Sequence, residues 1–444
     1  MTAPSPALSP LPSSPDVTVR GWCPSLHEPM RSGDGWLVRV KPRRAILTAG
    51  AARLVAGLAE RHGNGRIELT NRGNLQLRGI AEAGLAPLAG ALAGAGLADA
   101  DPGVERRRNL LCPPLLGHDP ALDPRLPGLI AALEAVQADP ALEALPGKFG
   151  LALDGGGVLP LDASRADILL RAEGEALRLC LDGGADTALC PWGEAAPAIA
   201  RLLRRFAAAC GGAGAPKRLR ELVRREGAAA LLREAGLVPR TAPPAPAAGA
   251  RPGFLPLAPG RGAARGAFLL GLPLGHLTAP RLAALAGLAE RHGDATLRLT
   301  PWRLLVIPGV AARDASHLAG AVARAGGIAD AGDPLLRIRA CPGLRGCASA
   351  SVDTEADAAA LTTLLAGRGL PRAGLLHLSG CAKGCAHPGP AAVTLVGEAG
   401  GYGIRRDATA REAPERRGLS IAEVADWLLG AQDGAAPGAA QGTG

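Results

Sequence analysis

Hydrophobic positions along the chain fall into short patterns that recur 230 residues apart. Trp36-Leu-Val-Arg-Val40 and Ala267-Phe-Leu-Leu270 are apolar runs of strand length. Next come leucines at helical spacing, Leu54 and Leu58 in one place and Leu282, Leu285 and Leu288 in the other, which predict helices over 51–61 and 280–291. Gly63 and Gly293 follow as C′ stop signals. Arg66-Ile-Glu-Leu-Thr70 and Leu297-Arg-Leu-Thr300 alternate as half-buried strands, and Leu75-Gln-Leu77 and Leu304-Leu-Val-Ile307 complete each set. Leu58-Ala-Glu-Arg-His-Gly63 returns as Leu288-Ala-Glu-Arg-His-Gly293, and Leu47-Thr-Ala49 as Leu277-Thr-Ala279, in one register. That marks an internal duplication. Each copy is a β-α-β-β unit with too few strands to close a sheet, so the two are expected to pair about a pseudo-two-fold.

A longer segment follows each unit. The first predicts strands at 148–153 and 177–181 and an arginine-rich helix over 198–225. A stretch dense in Pro, Ala and Gly then reads as a linker. The second segment opens on the alternating strand Leu335-Leu-Arg-Ile-Arg339. The expected organisation is a tail (1–18), a first unit (19–100), a first long domain (101–240), a linker (241–262), a second unit (263–332), a second long domain (333–434) and a tail (435–444). The fold class is α+β, internally duplicated.

Composition narrows the function. At 48% apolar the 444 residues can bury several cores, whereas four Phe, five Trp and one Tyr are too few rings for a base-stacking nucleic-acid platform. A net charge of +9 suits an anionic partner without choosing one. No run reaches the ~18–20 apolar residues of a membrane span, and Met1–Asp16 carries no basic residue of the kind that opens a signal peptide. A cytoplasmic protein with neither nucleic-acid nor membrane partner is expected.

Of the nine cysteines, Cys23, Cys112, Cys180, Cys190 and Cys210 are scattered, and the last three read as small buried residues. The other four form the spacing Cys341-x5-Cys347-x33-Cys381-x3-Cys385. Two thiolate pairs in glycine-rich loops can supply one centre, and glycines let backbone N–H groups approach its sulfurs. Thiolate donors select iron–sulfur or zinc, and the x5 loop favours a [4Fe–4S] cluster over a zinc site or unliganded thiols. A zinc- or cluster-stabilised binding module is the non-enzymatic alternative.

This cysteine arrangement, with Ser379-Gly-Cys-Ala-Lys-Gly-Cys-Ala-His-Pro388 and the strand Ala392-Val-Thr-Leu-Val-Gly397, resembles the sulfite/nitrite reductase superfamily over roughly residues 19–430. The resemblance implies two ferredoxin-like half-domains and two larger sulfite-reductase-like domains, one carrying the cluster on Cys341, Cys347, Cys381 and Cys385. The first copy has Cys112 for Cys341, His118 for Cys347 and no later cysteine pair, so one cluster per chain is expected. Thr70-Asn-Arg-Gly-Asn-Leu-Gln-Leu77 is similar to the strand-turn that presents an arginine to a tetrapyrrole, here Arg72. Arg108-Asn109-Leu110 resembles Arg-Asn-Val, and Leu145-Pro-Gly-Lys-Phe-Gly150 resembles Leu-Pro-Arg-Lys-Phe-Lys. Lys148 is kept, but Gly150 replaces the second lysine that would hold a small oxyanion.

The opening, Arg20-Gly-Trp-Cys-Pro24 and Pro29-Met-Arg-Ser-Gly-Asp-Gly35, is similar to the precorrin-3B synthases, the oxygen-dependent branch. That branch implies precorrin-3A as substrate, O2-dependent hydroxylation at C20 and closure of a γ-lactone. It also implies electrons from NAD(P)H through a separate reductase or ferredoxin, and a mononuclear non-haem iron. His27, His118 and His387 lie near the motifs without ligand spacing for that iron. Arg39, Arg72, Arg108, Lys148 and Arg303 are the expected carboxylate-binding residues, and Cys385 the ligand expected to face the macrocycle. A siroheme-dependent assimilatory sulfite or nitrite reductase is the alternative.

Overall fold

The two short units complete each other's sheets. The computed structural model describes residues 24–161, 166–212, 214–241, 249–257, 264–366 and 374–430; both expected tails and Cys23 lie outside them. One five-stranded sheet runs Met30–Ser32, Gly35–Val40, Leu75–Ile80, Arg66–Leu69, and then His276–Thr278 from the second copy. The other runs Gly253–Pro256, Arg265–Gly271, Leu304–Ala311, Thr296–Leu299, and then Ile46–Thr48 from the first. Both exchanged strands pair antiparallel, with Leu277 opposite Ile67 and Leu47 opposite Leu297. Backbone hydrogen bonds from Ala49 N to Ala295 O (2.8 Å) and from Ala279 N to Gly65 O (2.9 Å) repeat the symmetry.

The helices Ala49–His62 and Ala279–His292 pack on one another, and Leu47, Val55, Ile67, Leu277, Leu285 and Leu297 are buried in a common core. Thr48 Oγ1 caps the first helix by accepting from Ala51 N, while Pro280 supplies a preset φ at the start of the second. Both helices stop at the expected glycines, but for a different reason. Gly63 (φ −132°) and Gly293 (φ −125°) are not left-handed. A Cβ on Gly63 would lie 2.6 Å from Arg78 O, and one on Gly293 2.6 Å from Pro308 O. Close approach of the strands Leu75–Ile80 and Leu304–Ala311 excludes a side chain. Gly63→Ala should therefore cost about 1–3 kcal/mol in urea denaturation, the usual range for overpacking a tight site.

The first long domain is a six-stranded sheet in the order Pro239–Thr241, Asp186–Pro191, Ala176–Leu181, Ile168–Glu173, Leu151–Asp154, Leu110–Leu111. Its first three strands in the chain run parallel and the rest antiparallel. The second long domain repeats that plan with Ile338–Ala340, Leu376–Ser379 and Ala391–Glu398 parallel, then Gly401–Ala408 and Arg416–Leu419 antiparallel. The duplication thus extends into the long domains.

Two expectations are corrected. The helix over 198–225 is broken into Ala195–Ala209 and Leu219–Glu226, because Gly211, Gly212, Gly214 and Pro216 interrupt it. The linker contains the strand Gly253–Pro256, which forms an edge of the second half-domain's sheet. Described residues up to Leu336 form one compact unit, and those from Arg337 onward form a second. Among the described residues no helix is long and apolar enough to cross a membrane.

Candidate functional sites

In the first unit, a cleft opens where the loop after the strand Gly35–Val40 and the turn before Leu75–Ile80 meet the first long domain. Its lining includes Lys41, Arg44, Arg72, Arg108, Gln137 and Gly150, and its cavity of about 40 Å3 admits a carboxylate group or a few waters, not a ring system. Arg72 donates to Lys148 O across the domain boundary. Arg108 is gripped at Nε (3.2 Å) and Nη2 (2.7 Å) by Glu105, which is fully buried. Arg44 makes a bidentate pair with Glu134 (3.1 and 3.0 Å), and Arg43 reaches Asp99 at 3.2 Å.

Lys41 forms part of the cleft floor, only 5% exposed. Its ammonium donates to Glu105 O at 2.6 Å and more weakly to Arg106 O at 3.4 Å. Burial pulls its pKa down to about 8; Glu105 opposes the shift, and Arg108, Arg39 and Arg72 add to it. The folded value lies below the unfolded one, so unfolding takes up a proton between about pH 8 and 10.5. Burying the charged amine therefore costs stability below pH 8, about 3 kcal/mol, and the cost vanishes above pH 10.5. Raising the pH from 7.5 to 10 should stabilise the wild type relative to Lys41→Met; parallel melting curves at both pH values would contradict this.

The four clustered cysteines belong to the unit that begins at Arg337. Cys341 directly follows the strand Ile338–Ala340, and Cys381 lies just beyond Leu376–Ser379, so both pairs sit at the carboxyl ends of two adjacent parallel strands. Gly380 N donates to Cys341 Sγ at 3.1 Å. A Cβ on Gly380 would meet Ala350 Cβ at 2.6 Å, so only glycine lets that amide approach. Thr354 Oγ1 anchors the loop by donating to Cys341 O at 2.5 Å. Burial pushes the Cys341 thiol up, while the amides of Gly380 and Gly343 pull it back. Cys385 is the exposed member of the four. Its thiol is nevertheless raised to about 11, first by surrounding protein and then by the thiols of Cys341, Cys381 and Cys347. Among the described residues no three His, Cys, Asp or Glu side chains converge on a single-ion site.

Over 406 residues the chain is 36% identical to a precorrin-3B synthase of Sinorhizobium, covering 89% of this chain and 84% of that protein. The chain belongs to the precorrin-3B synthase family. It is an oxidoreductase of a wider group, since residues 28–95 and 266–325 match the nitrite/sulfite reductase ferredoxin-like half domain. A ferredoxin–nitrite reductase of Synechococcus elongatus is 27% identical over 85% of this chain and 78% of its own length. The solved Mycobacterium tuberculosis NirA protein shares the fold, with a TM-score of 0.71 at 19% identity, over 89% of this chain and 79% of that one.

In this family member the cleft brings together Arg72 and Arg108 but does not include Arg39, Lys148 or Arg303 in its lining. Arg39 donates to Gln76 at 3.1 Å; Lys148 meets Arg72 through its carbonyl. Arg303 occupies the place of Gly73, with φ 63° against 64°, and the counterpart of Arg72 is Trp302. Among the histidines, His118 Nε2 pairs with Asp294 at 2.7 Å, His27 Nε2 meets Asp99 O at 2.8 Å, and His387 Nε2 meets Pro390 O at 3.1 Å. Cys190 is fully buried as expected, while Cys180 and Cys210 are half-buried. Lys41 is the residue that sequence reasoning missed. Aligning the two copies exposes it, because its counterpart is Gly271.

Proposed function

We propose that this enzyme inserts oxygen into precorrin-3A, hydroxylating C20 and closing a ring-A acetate onto C1 as a γ-lactone. One atom of O2 enters the substrate and the other leaves as water, with two electrons and two protons supplied. The observation that carries the reading is the cation-lined cleft with Gly150 at its wall. A Cβ there would meet only Asn109 O, at 3.6 Å, so the backbone has room for a side chain and the chain leaves it out. A small doubly charged oxyanion would lose a donor at that position. A substrate with many separate carboxylates would not, because each arm can find its own cation.

The chain's residues then act by binding and orienting. Arg72 and Arg108 offer forked N–H donors that suit carboxylate geometry. Glu105 holds Arg108 in place and offsets part of its charge, so the guanidinium is positioned before substrate arrives. The 40 Å3 cavity takes the end of a carboxylate arm and leaves the macrocycle outside it.

The cysteine quartet fits a [4Fe–4S] cluster by its donor chemistry. It offers four thiols near one another, a backbone amide already on Cys341 Sγ, and glycines where the loops come closest. Such a cluster supplies electrons singly, which reaction of triplet O2 with a singlet substrate requires. A mononuclear non-haem iron and delivery of electrons from NAD(P)H through a separate reductase or ferredoxin belong to the same proposal.

The test is incubation with precorrin-3A, a reductant and 18O2, followed by mass spectrometry. One labelled oxygen in the product is expected. An iron-chlorin absorption band in the purified protein, with sulfite or nitrite turnover and no labelled product, would replace this reading with the siroheme-dependent one.

A further inference from the structure

We propose that Lys41 is a specificity-determining residue of the cleft, its ammonium group taking one peripheral carboxylate of the tetrapyrrole. The inference rests on the function proposed above and adds a residue that none of the tetrapyrrole-binding motifs covers.

Local charges point to an anion at this place. The acidic groups around the cleft each pair with an arginine: Glu105 with Arg108 through Oε2, Glu134 with Arg44, and Asp99 with Arg43. The ammonium of Lys41 donates only to main-chain oxygens among the described residues, and the Glu105 carboxylate, which acts on it through space, is shared with Arg108. Arg39, Arg72 and Arg108 add positive potential. A buried ammonium amid like charges is costly unless an anion joins it.

The second copy serves as an internal control. At the same register it carries Gly271 for Lys41, Pro273 for Arg43, Leu274 for Arg44 and Trp302 for Arg72. Its backbone is the same, with φ 54° at Leu274 against 55° at Arg44. There Leu269, Leu304 and Trp302 pack together in an apolar cluster. The second copy's own arginine, Arg303, sits one position along, so the fold of this turn does not need cations at the positions of Lys41, Arg43, Arg44 and Arg72. Only four of the 49 Lys and Arg residues in the chain are lysines. An ammonium is a compact point charge that titrates when buried, which a guanidinium does not do.

The competing role is structural, tying the end of the strand Gly35–Val40 to the carbonyls of the helix Pro102–Arg107. Binding of uroporphyrin I, a metal-free tetrapyrrole octacarboxylate, to the full-length protein between about pH 7 and 9.5 separates the two. Wild-type Kd should rise above about pH 8 with a slope approaching tenfold per pH unit. Lys41→Met should bind about tenfold more weakly at pH 7, with a flatter profile, and Lys41→Arg should keep the affinity while losing that pH dependence. As a second readout, reductive 13C-methylation of the lysines lets the Lys41 signal be titrated in the wild type, and uroporphyrin should raise its pKa. A Lys41→Met profile parallel to wild type, or no shift of the Lys41 signal on binding, overturns the assignment. Failure of the wild type to bind uroporphyrin at any pH instead overturns the tetrapyrrole reading, and Lys41's role with it.

Discussion

Cys381→Ser is expected to leave the purified protein without the iron and acid-labile sulfide of the proposed cluster and without turnover, while residues 24–336 stay folded. A serine oxygen is a poorer donor to iron than thiolate, and the proposed cluster would take all four cysteines, leaving no spare. The site's geometry argues against substitution by a neighbour. Lys383 reaches toward Ser349 at 3.4 Å, and His387 is turned to Pro390 O. Wild type prepared anaerobically should carry about four iron and four sulfide per chain. Wild-type iron and sulfide content in the variant, or zinc without sulfide in the wild type, would refute the cluster assignment.

Leu47→Ala is expected to destabilise both half-domains together, by about 3–4 kcal/mol in chemical denaturation. Leu47 has no exposed surface and lies in the strand that the first copy lends to the second, opposite Leu297. The cavity would open into a core shared by both helices. Hydrogen exchange should therefore quicken in Ala49–His62 and Ala279–His292 alike. Faster exchange in one helix alone would mean that the copies unfold independently.

Much of this architecture is legible in the residues. The repeated Leu-Ala-Glu-Arg-His-Gly fixes the register of the duplication, and the leucine spacing places both long helices. The exchange of strands is not legible. Ile46-Leu-Thr48 and His276-Leu-Thr278 are three residues each, too short for a period-two signal, and nothing local names partners about 250 and 210 residues away. The site divides in the same way. Thiol spacing announces the cysteine quartet, because thiolates are rare and their pairing is local.

The cleft is harder to read from sequence because charge alone does not tell a solvated arginine from a buried one. Arg106-Arg107-Arg108 reads as one charge run, yet its members do three different things. Arg106 caps Glu143 O. Arg107 is buried against the carbonyls of Gln137 (3.0 Å) and Ala138 (3.3 Å), neutralising the end of the helix Leu126–Ala138, and Arg108 lines the cleft. The buried Glu105 that organises Arg108 gave no sign beforehand. Only tertiary packing distinguishes it from any other glutamate in a first helical turn.

The exchanged strands also bear on how the chain is made. As the polypeptide leaves the ribosome, Arg66–Leu69 emerges with one edge bare, and the strand that covers it is synthesised roughly 200 residues later. The amino-terminal half must wait as an open sheet, sticky along that edge, until His276–Thr278 arrives. Fragments ending before the second half-domain should therefore clump rather than fold, and expression should favour slow synthesis with chaperones at hand.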